Sequence, residues 1–478
     1  MKSGESILII YNAILVDSSI ENPGMVVVQG SKIRGIFLGD VKDKETALKI
    51  AAPSLPPKSA EPQFFNAEGL VLMPSFVDMH VHFRYPGQTQ KEDLDSGLKA
   101  AVAGGFGTVV TMPNTTPVVS TSKLAEQIMS EAAEKKLAKV YQTVSITKDF
   151  GGEDTSEIQH LSSKNIPVIS EDGREVQSSA VMLEGMKAAG KKNIIVACHS
   201  EDPFLAAAAK PYRTRALDFM KKYKIPAGKV NVKTPNVPDS VNFEIDGCLT
   251  AANQLLALAE DTATERNIQI AKTAGCHVHI CHCSTAVSMD AVRRAKALIK
   301  SGKAPTGFDC TVEVTPHHIA LAGTDAPNIR ALVNPPLRSE EDRASLIEAI
   351  KDGTVDVIST DHAPHTQEDK AGGSPGFTGL ELSFAVCNTV LCKKEGLTLN
   401  RLSQLMSENP SKLLNINSGR FFTGSDANLV LVNPDEKWEV NPSKFNSKGK
   451  STPFEGQKLI GRVHATFFEG KQVYSLNE

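Results

Sequence analysis

Seven β-branched runs between residues 108 and 365 constrain this chain more than any other feature, because each one closes on polar or ionisable residues. They are TVVTMPN (108–114), AKVYQTVSI (138–146), IPVISED (166–172), NIIVACHSED (193–202), HVHICHCS (277–284), CTVEVTPHH (310–318) and VDVISTDHAPH (355–365). Helix-like stretches follow several of them, such as SKLAEQIMSEAAEKKL (122–137) and EDRASLIEAIKDG (341–353). A strand-then-helix rhythm kept up over about 350 residues predicts a parallel sheet in an α/β fold. Rhythm alone fits both a doubly wound sheet and a closed (β/α)8 barrel of TIM type. The placement of His, Asp and Asn at the C-terminal strand ends favours the barrel, which gathers its active site there. No glycine-rich phosphate fingerprint follows the first strand, which weakens a nucleotide-binding reading.

The two ends of the chain are written differently. Residues 1–70 carry the strand-like runs ILII, AILV and MVVV, with a Pro- and Ser-rich loop at 52–62, and NLVLV, KLIGRVHATFFEG and KQVYS close the chain in the same style. This predicts a small β-sandwich domain assembled from residues 1–70 and 425–478, around a barrel domain at 71–424. A length of 478 residues suits one large domain with a smaller appendage. The formal charge of -3 gives no field for nucleic acid or an anionic membrane. No run approaches the roughly 18 apolar residues needed to span a bilayer, and the start lacks the apolar core and cleavage site of a signal peptide. Eight cysteines, mostly in apolar segments, suit free thiols in a reducing compartment, so a cytoplasmic location is expected. Cys281 and Cys283 flank His282, but no partner pair follows at zinc-finger spacing.

Chemistry concentrates at the strand ends. His80 and His82 are two apart on a strand and so share a face, which makes half a zinc site. Asp172, His199, His282 and Asp361 each end a strand of their own. Four imidazoles with an anionic bridge between two cations would supply a binuclear zinc centre. In HVHICHC, His277, His279 and Cys281 share one face and His282 the other; nearness to the strand end selects His282 as the ligand, with His279 packed behind.

VDMHVHFRYPGQTQKEDLDSGLKAAVAGGFGTVVTMPNTTPV and LVNPPLRSEEDRASLIEAIKDGTVDVISTDHAPH resemble the two signatures of class I dihydroorotases, in the amidohydrolase superfamily. SPGFTGLE resembles that family's substrate loop, and the resemblance runs on to STPFEG near the C-terminus. It implies that His80, His82 and Asp361 hold one zinc ion, His199 and His282 a second, and that Asp172 bridges them. Hydantoinases, dihydropyrimidinases and class II dihydroorotases bridge with a carboxylated lysine, so an aspartate favours class I. Arg84, Asn114 and His365 match the positions that bind the substrate carboxylate. Asn334, with backbone groups around Pro375 and Gly376, matches those that hold the ring amide. A homodimer is implied, and association with aspartate transcarbamoylase is compatible with the family.

The implied reaction is the reversible cyclisation of N-carbamoyl-L-aspartate to L-dihydroorotate, a small-molecule step of pyrimidine biosynthesis. Asp361 would be the general base and then the acid, and Arg84 would grip the carboxylate with its planar fork. Two alternatives are a hydrolase of another cyclic amide (hydantoin, dihydropyrimidine or allantoin) and an inactive scaffold subunit. The carboxylate-binding set argues against the first, and the presence of all six ligands argues against the second. His317 and His318 are expected to be structural, and His362 to pack behind the site. Departures from the family pattern are Tyr85, Ser200, Asn428 and a long segment at 205–243.

Overall fold

The computed structural model describes residues 6–55, 61–225 and 237–477. Eight short parallel strands form its centre: Phe76–Val81, Phe106–Thr111, Lys139–Gln142, Val168–Ser170, Ile195–Cys198, His277–Ile280, Asp309–Val314 and Val357–Ile358. The first three pair in sequence order, and so do the last five. Parallel bridges Val144↔Ile169 and Val81↔His362 join these two sheets at both seams, so the strands close into the expected barrel.

Its helices form where caps and apolar spacing coincide. In Ser122–Glu134, Thr121 accepts from the Leu124 amide, and Ala125, Ile128 and Ala132 put one stripe into the core. Ser339 and Asp342 make a capping box at the start of Glu340–Lys351. Between the fifth and sixth strands lie two helices, Pro203–Lys222 and the 36-residue Asp239–Ala274. The second ends at Gly275, whose φ of 65° lets its amide close on Ala271. These helices account for most of the long segment at 205–243, of which 226–236 fall outside the described residues.

Strands from both ends of the chain share one further, eight-stranded sheet. Val71–Pro74 pairs parallel with Ile7–Val16 on one side and antiparallel with Leu429–Glu439 on the other. The sheet wraps a core of Ile10, Leu15, Val26, Leu72, Leu431 and Phe467. Phe65 and Phe467, from strands that do not pair, meet edge to face at 5.0 Å across it, so the sheet folds over on itself as a sandwich. Phe76 begins the first barrel strand immediately beyond Ser75, with its ring 5.7 Å from both Phe106 and Phe384. No described helix is long and apolar enough to cross a membrane. All eight cysteines are free, and seven of them are buried.

Candidate metal centre and its surroundings

The first barrel strand carries a bulge: Asp78 pairs with Val109 and Val81 with Thr111, three steps against two. Val77 and Met79 pack with Ile195, Ala197 and Val357. The extra residue within Asp78–Val81 then brings His80 and His82 to the inward direction. Their Nε2 atoms lie 3.3 and 3.5 Å from the two carboxylate oxygens of Asp172. Asp172 is itself steadied, its amide donating to Ser170 Oγ at 3.1 Å.

On the sixth strand Val278 and Ile280 pack outward into the main core, so His279 and Cys281 hold the inward face. Alternation would therefore turn His282 away from the barrel. At His282 the backbone leaves the extended conformation (φ 33°), and the ring joins the cluster. Its Nε2 lies 2.8 Å from His199 Nδ1 and 3.9 Å from Asp172 Oδ1. Asp361, also at positive φ (48°), brings Oδ1 to 3.1 Å from His82 Nε2 and 3.7 Å from His80 Nε2. The six residues named from the strand ends thus converge on one buried spot.

Three clusters there have the donor spacing of a metal site: His80–His82–Asp172 and Asp172–His199–His282, which share Asp172, and His80–Cys281–Glu313, which shares His80 with the first. His80 Nε2 and Asp172 Oδ1 are buried without a hydrogen-bond partner among the described residues. Buried polar atoms are nearly always partnered, and a divalent cation held by imidazole and carboxylate accounts for both atoms at once. Burial alone would raise the Asp172 carboxyl, but the imidazoles of His80, His199 and His282 outweigh it and hold the group far below the usual range.

A surrounding set of side chains orients these donors, and much of it has no signature in the sequence. Glu313 accepts from His80 Nδ1 at 2.8 Å and from the His282 amide at 3.1 Å, and its other oxygen meets His279 Nε2 at 3.2 Å. A lone acidic residue in the apolar run CTVEV was the available signal. Asn114 does not stand free: Oδ1 faces His82 Nδ1 at 2.9 Å and Nδ2 donates to Asp172 Oδ2 at 3.1 Å. His362 packs behind the site on Glu92, and His318 is fixed by Thr315 and the Pro335 carbonyl.

Arg84 and His365 meet at the mouth, with Nη2 and Nε2 3.2 Å apart. Burial, with Arg84, Lys370 and Lys91 nearby, pushes His365 down to about 3, so its ring is neutral. Asn334 stands on the next segment, where Nδ2 donates to Glu201 Oε2 at 2.8 Å and Oδ1 accepts from Arg213 at 3.2 Å. Gly376 has φ 130°, and a Cβ there would lie 2.7 Å from the Ala363 carbonyl oxygen, so only glycine fits. Its backbone is engaged: the amide donates to Leu332 and the carbonyl accepts from Lys370. The Pro375 carbonyl likewise meets His365 Nε2 at 2.9 Å. Three departures from the family pattern have local partners, Tyr85 on Glu131, Ser200 on Asn267, and Asn428 on the Glu469 amide.

Residues 71–473 match the amidohydrolase family. A dihydroorotase of Clostridium botulinum (strain Eklund 17B / Type B) is 37% identical over 439 residues, which is 92% of this chain and 96% of that protein. A dihydroorotase of Caldanaerobacter subterraneus subsp. tengcongensis is 35% identical over 419 residues, 86% of this chain and 88% of that protein. Among solved structures, the L-hydantoinase (dihydropyrimidinase) of Arthrobacter aurescens superposes with a TM-score of 0.77 at 24% identity, covering 98% of this chain and 96% of that one. The dihydropyrimidinase of Brevibacillus agri NCHU1002 gives 0.74 at 19% identity, covering 98% and 95%. At those identities the structural likeness speaks to the fold.

Proposed function

The chain belongs to the amidohydrolase family, and from that premise we propose that it acts as a dihydroorotase, joining and opening the ring of L-dihydroorotate. The observation that carries this reading is the pair of donor clusters sharing Asp172, with Arg84 and His365 at their mouth. The enzyme is a cyclic amide hydrolase of a metal-dependent family, and its substrate is a small molecule.

In this reading the metal is zinc, two ions per chain. His80, His82 and Asp361 would hold one and His199 and His282 the other, with Asp172 available to both. When bound, the ions supply Lewis acidity toward the ring carbonyl and toward water. Burial lowers the His80 and His199 imidazoles, but Asp172 and the other nearby carboxylates outweigh it and raise both, so a cation held there would compete with protons.

The remaining work falls to the protein. In ring opening, water adds to the amide carbon, the carbon–nitrogen bond breaks, and Asp361 carries the water proton to the leaving nitrogen. In closure the same carboxylate takes the proton from the ureido nitrogen and returns it as water leaves. Arg84 offers parallel donors to the substrate carboxylate, and neutral His365, with Nε2 3.2 Å from Arg84 Nη2, stands beside the same anion. Asn334 holds the ring amide, with Pro375 and Gly376 shaping the loop beside it. Asn114, committed to His82 and Asp172, acts on the carboxylate from a fixed position. A hydantoin or dihydropyrimidine without a carboxylate would offer the Arg84 fork no anion to grip, which disfavours those rings.

Purified protein loaded with zinc and offered L-dihydroorotate, hydantoin, dihydrouracil and allantoin tests the reading, with ring opening followed by absorbance. Turnover confined to dihydroorotate is expected. Failure to open it with metal bound, or preference for an uncharged ring, defeats the proposal. The homodimer implied by the family is tested by light scattering.

A further inference from the structure

The helices Pro203–Lys222 and Asp239–Ala274 pack on each other through Ala209, Ala216, Met220, Leu249, Ala252 and Leu256. One polar side chain of the first helix turns from this hairpin toward the site. Arg213 Nη1 donates to Asn334 Oδ1 at 3.2 Å, and Nη2 donates to the carbonyls of Arg330 and Val333 at 3.0 and 2.9 Å. A planar guanidinium holds its donors in a fixed fork, so one residue grips both the backbone and the side chain of this segment. Lys370 takes the Leu332 carbonyl at 3.0 Å, which ties the same stretch to the loop carrying Gly376.

The consequence lies in the amide of Asn334. Its oxygen meets the Arg213 cation and its nitrogen meets the Glu201 carboxylate. Flipped, the NH2 would face the guanidinium and the carbonyl would face the carboxylate, repelling at both ends. The flip is thereby decided, and Asn334 keeps one lone pair and one N–H in a set order. The scissile ring nitrogen of dihydroorotate lies between two carbonyls; with the scissile carbonyl turned to the metal centre, its N–H and the other carbonyl pair with only one such order.

We propose that Arg213 is a positioning residue that sets the order of donor and acceptor on Asn334, so that the helical hairpin contributes to substrate recognition. The inference rests on Asn334 holding the ring amide, as read above.

A double-mutant cycle in the full-length, zinc-loaded chain tests it, comparing Arg213→Met, Asn334→Ala and the double variant. Arg213→Met is expected to raise KM for dihydroorotate about tenfold, with kcat changed much less. In the Asn334→Ala background the same substitution should add nothing. Full additivity of the two KM effects overturns the inference while leaving Asn334 as a substrate group. An unchanged KM in Asn334→Ala alone overturns the reading of Asn334, and this inference with it. Arg213→Ala carries the cycle if Arg213→Met does not fold. Arg213→Lys keeps a cation that can face Asn334 Oδ1 and should restore most of the wild-type KM; a KM as high as in Arg213→Met overturns the inference.

Discussion

Glu313 accepts a hydrogen bond from His80 Nδ1 at 2.8 Å, deep in the barrel, and so dictates which nitrogen of that ring faces Asp172. With Nδ1 as the donor, the lone pair stays on Nε2, where a metal would be held. Glu313→Gln is expected to weaken zinc binding about 10–100-fold. The measurement is the zinc retained per chain after equilibration with a chelator. Retention equal to wild type would mean that packing alone orients His80.

Asp361 stands where a proton must pass from water to a leaving nitrogen. Asp361→Asn is expected to lower kcat by about 10²–10⁴-fold while some metal stays bound. Rates within a few-fold of wild type at equal zinc content would refute the base role.

Arg84 is almost fully buried, and its positive charge needs an anion. Arg84→Met should raise KM for dihydroorotate about 10–150-fold, the range expected for a charge-assisted hydrogen bond of roughly 1.5–3 kcal/mol. Any slow turnover of an uncharged cyclic amide should be unaffected or improved. An equal loss on both substrates would assign Arg84 to the fold and not to the carboxylate.

Asp93 caps the helix Leu94–Ala103 and pairs with Lys448, joining the barrel to the C-terminal strands. Partial burial raises its carboxyl, but Lys448 and Ser96 outweigh that and hold it at about 2, below its ordinary 3.8. A depressed carboxyl stabilises above its unfolded value and loses that contribution as pH falls from 3.8 toward 2. Asp93→Asn should therefore be less stable than wild type at pH 7, with the difference closing by about pH 2. Urea midpoints of the two proteins across that range check it; a constant gap would rule out the charge as the cause.

The ring of Phe76 is fully buried between Phe106 and Phe384. Phe76→Ala is expected to cost about 3–5 kcal/mol, read by denaturant unfolding with zinc held saturating. A cost below about 1 kcal/mol would show that the surrounding core collapses into the space.

The strand rhythm and its polar endings were enough to read a barrel with its chemistry at one rim, and alternation was enough to pair His80 with His82. The bulge after Asp78 was not legible, since nothing in DMHVH marks an extra residue. It decides that the histidines, and not Val81, face inward. Nearness to the strand end selects His282, whereas alternation alone misplaces it; its positive φ is a tertiary outcome. Glu313 could have been suspected as a charge in an apolar run. Arg213 could not, because its partners are more than a hundred residues away and a helical arginine is ordinary on a surface.

Val71–Pro74 has its antiparallel partner in Leu429–Glu439, on the far side of the whole barrel sequence. A ribosome adding about 5–20 residues per second needs roughly 20–70 seconds to travel that distance. For all that time an apolar strand that will lie inside the folded sheet is an open edge, able to pair with any other nascent chain. The barrel's first strand hangs from that edge by one residue, Ser75. The dangerous interval in this protein's life is thus set by the order of its synthesis, and a chaperone that masks a four-residue edge would protect the chain throughout it.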